Sequence, residues 1–324
     1  MFTMRFDMRS PSTGAPTPDL YAAALEMAEW AETRGCVGAI ICEHHASPDG
    51  YLPSPMVLAT AMAARTATLP ITIAVVLLPL YDPVRLAEDM AVLDHVSRGR
   101  VSYVVAIGYR PVEYEQYGID FHRRGRILEE KLDLLLRAKT GEPLEHDGRR
   151  IHVTPAPFTP GGPTLALGGG SAPAARRAGR YGLGFLAQGG GEGLVAEYEA
   201  AAREAGHEPG FCFVPPVDTP TTIFVADDVD RAWDEIGPYL LHDVQGYAAW
   251  NEGDTTTASI SFAQTVDELR AENRTHRIMT VDEAVEHVRT GMPVQLHPLI
   301  GGLPPDVAWP YLHTVVDRMM PALG

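Results

Sequence analysis

Apolar residues fall in two patterns along this chain. Short unbroken runs occur at residues 37–42 (VGAIIC), 71–78 (ITIAVVLL), 101–107 (VSYVVAI), 164–170 (TLALGGG) and 183–188 (LGFLAQ). Between them lie longer stretches with apolar positions every three or four residues. At 18–34 these are Leu20, Ala23, Ala24, Met27, Trp30 and Ala31, with Thr17 as the expected N-cap and Gly35 as the stop. The first pattern predicts strands buried on both faces, as in a parallel sheet; the second predicts amphipathic helices. Further strands are predicted at 4–9, 219–226 and 293–302. Helices are predicted at 55–65, 84–96 after Pro83, 124–139, 171–182, 195–206, 227–244, 280–291 and 306–320.

Eight strands alternating with helices over this length predict a (β/α)8 TIM barrel, with an open doubly wound sheet as the competing arrangement. Residues 1–324 read as one domain. Two stretches break the alternation. Residues 140–163 are rich in Pro and Gly and predict a hairpin or extended excursion. Residues 246–279 show no core pattern and read as an insertion before the last strand, a long loop of the kind that serves either as an active-site lid or as a surface excursion.

Composition narrows the function. The chain has 324 residues, 45% hydrophobic and 21% charged, enough for a core that needs no metal or disulfide staple. A net charge of -16 disfavours nucleic acid and anionic membrane surfaces. Cys36, Cys42 and Cys212 form neither a CxxC pair nor a disulfide framework. With no apolar signal core at the start, the cytoplasm is the expected compartment.

In a barrel, the loops after the strands gather on one face and carry the chemistry. Three such loops stand out. Glu43, His44 and His45 follow the second strand. Adjacent histidines on an extended chain point apart, so no metal site is expected; one imidazole at the barrel mouth suits acid or base work near neutral pH. Gly168, Gly169, Gly170 and Ser171 run from a strand into a helix, an arrangement that offers free N–H groups and a helix dipole to an anion, although a flexible turn has the same composition. Gly108, Tyr109 and Arg110 follow the fourth strand, where they either reach a ligand ring or phosphate or simply pack. Arg85, Glu88, Asp89 and Asp94 have the spacing of helix-surface ion pairs.

Taken together these segments resemble the bacterial luciferase-like monooxygenase superfamily. The resemblance is carried by EHH at 43–45, LPLYDPVRLAEDMAVLDHVSRGR at 78–100, GYRPVEYEQYGID at 108–120, ILEEKLDLLLRA, GGGSAPAARRAGRYGLGF at 168–185 and the closing TVDEAVEHVRTG, VQLHPLIGGL and VVDRMMPAL. They occur in the family's order and cover most of the chain except 246–275. The resemblance implies a (β/α)8 barrel, usually dimeric, that uses reduced FMN or the deazaflavin F420 at the barrel mouth. It implies a non-prolyl cis peptide or bulge against the ring near Ala74 and Val75. It implies a flavin phosphate at Gly168, Gly169, Gly170 and Ser171, and proton transfer by His44 with Glu43 and His45 in support. Where luciferase proper carries an arginine and a reactive cysteine, this chain has Ala106 and Ile107, so light emission is not implied. The activity implied is oxygenation of a small organic substrate with reduced FMN and O2, the flavin arriving from a separate reductase. An F420-dependent dehydrogenase or reductase and a non-catalytic flavin-binding subunit are the competing readings.

Overall fold

A computed structural model of the chain describes residues 1–189, 191–216, 219–251, 257 and 260–324. In chain order the elements are β1 (Phe2–Phe6), α1 (Thr17–Glu32), β2 (Cys36–Ile41), α2 (Pro55–Arg65), β3 (Ile71–Leu77), α3 (Pro83–Ser97), β4 (Val101–Ala106), α4 (Pro111–Gln116) and α5 (Arg124–Ala138). Then come β5 (Leu144–His146), β6 (Arg149–Ile151), β7 (Leu165–Gly169), α6 (Ala172–Arg180), β8 (Gly184–Ala187), α7 (Leu194–Glu204) and β9 (Cys212–Phe213). The rest are β10 (Thr222–Val225), α8 (Val229–Trp250), α9 (Val266–Glu272), β11 (His276–Met279), α10 (Val281–Arg289), β12 (Val294–Leu296) and α11 (Pro305–Thr314).

Eight strands form one parallel sheet in the order β12-β1-β2-β3-β4-β7-β8-β9. Side chains on a strand alternate between faces. Phe2, Met4 and Phe6 of β1, Ala39 and Ile41 of β2, and Ile71 and Ile73 of β3 are buried on the helix side. On the other side every strand sends a residue into one cavity of about 730 Å³: Arg5, Ile40, Thr72, Ser102, Ala166, Leu186, Phe213 and Gln295. Since both end strands, β9 and β12, reach the same cavity, the sheet curls around it. Most of these inward side chains are small or polar, so the interior stays open, whereas bulky branched residues commonly fill a barrel core.

Three sequence expectations change here. The predicted seventh strand, β10, does not join the main sheet; it pairs in parallel with β11 in a separate two-stranded sheet. Its place beside β8 goes to β9, which is only two residues long and too short to leave an apolar run. Residues 246–279 are not a patternless insertion: 246–250 complete α8, and α9 and β11 follow. The lid reading falls partly on residues 252–256 and 258–259, which lie outside the described residues. Thr17 is the first helical residue of α1 rather than its cap, which is Pro16. The excursion at 140–163 does contain a hairpin, β5 with β6. Among the described residues no helix is long and apolar enough to cross a membrane.

Candidate active site

Glu43, His44 and His45 lie just past the end of β2, and the two imidazoles diverge as strand geometry requires. Each meets its own carboxylate. His45 Nε2 is 2.8 Å from Glu43 Oε1, and His44 Nδ1 is 2.8 Å from Glu113 Oε1. Glu113 sits on α4, a short helix opened by Pro111, and is fully buried. Its Oε1 also accepts from the His45 backbone N–H at 3.0 Å and from Arg110 at 3.1 Å. Sequence reasoning missed Glu113, because GYRPVEYEQYG reads as an ordered loop; Pro111 at a helix start was the available signal.

The electrostatics assign the roles. Burial lowers the His44 pKa, and the hydrogen bond and charge of Glu113 oppose that only in part. Burial also works to raise Glu113, but the donors from His44, the His45 backbone and Arg110 hold it below the usual carboxylate range. The stable pair is therefore a neutral imidazole beside a carboxylate. A carboxylate only accepts, so Nδ1 carries the proton and Nε2 keeps a lone pair. That lone pair faces the Tyr109 hydroxyl at 3.2 Å. Burial pushes Tyr109 up to about 12, so it stays a phenol. Glu43 is raised by burial, against its bonds from His45, Tyr81 and the Leu77 N–H.

Aromatic rings close one side. His44 packs edge-on to Tyr51 and Tyr109, with ring centroids 4.9 and 5.3 Å away, and against Trp250 at 4.9 Å. Tyr247 and Trp250, at the end of α8, thus belong to the wall of the site. Behind them Arg9 lies under the rings of Tyr51, Tyr247 and Trp250. Asp7, Asp243 and His297 come close enough together to suggest a metal seat. The Arg9 guanidinium already occupies it, with Nε 3.3 Å from both Asp7 and Asp243.

The cavity is lined by His44, Glu43, Ala74, Val75, Gly108, Tyr109, Gly168, Gly169, Gly170 and Ser171. The Ala74-Val75 peptide is cis, and the ladder to β4 shifts register between Ala74 and Val76. At the glycine loop, a Cβ on Gly169 would lie 2.6 Å from Ala174 Cβ, so the strand can turn into α6 this tightly only without a side chain. Ser171, the N-cap of α6, spends no side-chain hydrogen bond on the helix. Arg124 and Arg177 line the cavity here, and Arg124 Nε is buried with no partner. Two sequence candidates fall elsewhere. His45 does not line the cavity. Nor does Arg110, which binds the His45 carbonyl and Glu113 and stacks 3.9 Å over Trp250. It braces the two histidines. Arg176 is taken up by Glu197 on the surface.

A parallel sheet that curls around one cavity, with His44 and the turn at 168–171 in its lining, defines the α/β class of this protein. The chain belongs to the luciferase-like monooxygenase family, whose sequence profile matches residues 2–296. It is 32% identical over 132 residues to the uncharacterized protein y4vJ of Sinorhizobium fredii, a match over 41% of this chain and 38% of that protein. It is 27% identical to 4-hydroxyprotoasukamycin monooxygenase of Streptomyces nodosus subsp. asukaensis, over 82% of this chain and 75% of that one. Among solved structures, monooxygenase RslO1 from Streptomyces bottropensis shares the fold with a TM-score of 0.79, 20% identity and full coverage of both chains. The oxygenating constituent of 3,6-diketocamphane monooxygenase from Pseudomonas putida, solved with FMN, gives 0.71, 20% identity and coverage of 100% and 98%.

Proposed function

We propose that this chain is a flavin-dependent monooxygenase that uses reduced FMN and O2 to oxidise a small organic substrate. The observation that carries this reading is the pairing, within one cavity, of the Glu113–His44–Tyr109 array with the glycine-lined anion seat. The seat suits a phosphate. Gly169 permits the close turn, Ser171 keeps its hydroxyl free, and the unpartnered Arg124 Nε wants an acceptor. A flavin phosphate would be held by Gly169, Gly170, Ser171 and Arg124, with Ala74 and Val75 beside the ring system. The bound flavin supplies the redox chemistry.

The chain's own residues then handle protons and water. His44 Nε2 accepts a proton at the reacting end of the cavity, directly or through the Tyr109 hydroxyl. Glu113 keeps the ring in one tautomer and stabilises the imidazolium that forms. Tyr51, Tyr109, Tyr247 and Trp250 keep water away from this step. Glu43 and His45 brace the turn from the far side. The family reading further suggests a closed (β/α)8 barrel, a homodimer, a cytoplasmic setting and a separate reductase that delivers reduced flavin.

The same seat and base suit the deazaflavin F420 in a dehydrogenase, and an F420-dependent secondary alcohol dehydrogenase shares the fold with a TM-score of 0.64 and 16% identity. Titration with reduced FMN and with F420, followed by absorbance and oxygen uptake, separates the readings. Binding of reduced FMN with oxygen consumption is expected. Selective binding of F420 without oxygen uptake replaces the monooxygenase with a dehydrogenase. Flavin binding with no turnover of either kind leaves a binding subunit.

A further inference from the structure

The cavity's charge contradicts that of the chain. In a protein of net charge -16, the charged lining among the described residues is Arg5, Arg124 and Arg177 against one carboxylate, Glu43. Glu43 is occupied by His45 and Tyr81, and Arg177 by Glu129. Arg124, at the start of α5, lines the cavity beside α6, since its neighbour Gly125 approaches Arg177. Arg5 enters from β1, and β2, β3 and β4 separate β1 from β7 in the sheet. Around a curled sheet of eight strands that puts Arg5 on the side opposite the glycine loop.

The hydrogen-bond partners of Arg5 among the described residues are neutral, and the one carboxylate whose charge reaches it, Asp243, is already paired with Arg9 and His276. Arg5 Nε donates to Cys42 Sγ at 3.3 Å, and Nη2 donates to the Tyr247 hydroxyl. Three of its five N–H donors remain, including both on Nη1. No carboxylate among the described residues pairs with it. Arg9, further along the same segment, makes ion pairs with Asp7, Asp49 and Asp243. A guanidinium stays charged at every working pH, and a charge facing an apolar cavity is costly unless something meets it. The cavity Arg5 faces is lined by Ile40, Ala74, Leu186 and Phe213, with Gln295 on β12 adding one amide.

We propose that Arg5 is the seat for an anionic group of the substrate, a carboxylate carried on an otherwise apolar molecule. The planar fork of a guanidinium meets a carboxylate in two parallel hydrogen bonds, and the single positive charge of Arg5 balances one carboxylate but only half of a phosphate dianion. The position suits the reaction. Tyr247, held by Arg5, is 2.8 Å from the Tyr51 hydroxyl, and Tyr51 packs on His44. A ligand anchored at Arg5 therefore extends along the wall that ends at the proton acceptor. Calling that ligand the substrate rests on the flavin reading above; the anion seat does not.

Calorimetric titration with hexanoate, 1-hexanol and inorganic phosphate tests this, using the full chain as wild type, Arg5→Leu and Arg5→Lys. The wild type should bind hexanoate at least tenfold more tightly than 1-hexanol. Arg5→Leu should abolish that preference without weakening reduced FMN, and Arg5→Lys should retain part of it. If Arg5→Leu fails to fold, Arg5→Lys against the alcohol control still decides the matter. The proposal is overturned by absent hexanoate binding, by equal affinity for acid and alcohol, by an unchanged Arg5→Leu or by phosphate binding as tightly through Arg5. It is also overturned if Arg5→Leu loses reduced FMN instead, since Arg5 then serves the cofactor. A wild type that binds hexanoate through Arg5 but neither FMN nor F420 supports the seat and removes the flavin reading.

Discussion

At the residue scale, the structure divides three neighbours that share one tripeptide. His44 faces the cavity with its Nε2 lone pair turned to the Tyr109 hydroxyl; Glu43 lines the same cavity but is paired with His45, which does not line it. Replacing His44 with Ala should cost about 10²–10⁴ in kcat, while His45→Ala should act mainly on stability; steady-state kinetics on the two variants checks the distinction. The pH dependence follows from the direction of the His44 shift. Its pKa is lowered by burial, so the neutral base persists below the ordinary value of about 6.5. kcat/KM should stay level above that value and fall only as pH drops through the lowered pKa. Glu113→Gln removes the one charge that holds the imidazolium up. Its acid limb should therefore move to lower pH while kcat drops; an unmoved limb would show that Glu113 does not act on His44. The acid side also costs stability. The depressed Glu113 pKa stabilises the fold above the unfolded carboxylate value, and that contribution is lost as pH falls through the folded one.

At the element scale, two junctions carry the site. The β7-to-α6 turn depends on Gly169, whose φ of 153° and contact with Ala174 leave no room for a methyl group. Gly169→Ala should weaken reduced-flavin binding at least tenfold with the far-UV dichroism unchanged, as a fluorescence titration would reveal. The second junction ties the end of β1 to α8 through Arg9. This guanidinium is 1% exposed and faces Asp7, Asp49 and Asp243. Arg9→Met leaves three buried carboxylates with only His297, His242 and His276 as ion-pair partners among the described residues, and a loss of about 3–5 kcal/mol is expected on removing one partner of such a network. Urea unfolding measures it, and a loss under 1 kcal/mol would mean that the carboxylates find other donors. Most helices and the first six strands were legible in the sequence, because unbroken apolar runs and amphipathic stretches report burial directly. β9 was not, since two residues cannot show a period, and β10 was misplaced because its pattern reports burial but not its partner strand.

At the scale of the whole molecule, the open cavity is the feature that matters. A curled sheet with small inward side chains leaves about 730 Å³, within the range of small-molecule sites. Every strand of the main sheet contributes to the lining, so the site exists only in the folded state. Reduced FMN at a hundredfold excess over its Kd should therefore stabilise the chain by about 2.7 kcal/mol. Thermal unfolding with and without the cofactor reads this directly, and an unchanged Tm at saturating FMN would remove FMN as the ligand.

The sequence by itself determined which segments are buried strands and helices, the glycine turn, and the place of Glu43, His44 and His45 at a strand end. These depend on local period, backbone freedom and strand alternation, all written in neighbouring residues. Only the tertiary structure decided that His44 takes its proton partner from Glu113, 69 residues away, and that Arg110 joins the His45 carbonyl to Glu113. It alone left Arg5 facing the cavity with no carboxylate in ion-pair contact among the described residues, while Arg9 was surrounded by three. The physical reason is that a partner is a matter of which strand ends and helix starts meet when the sheet curls. That meeting is fixed by packing across the whole molecule, and no short stretch of sequence contains it.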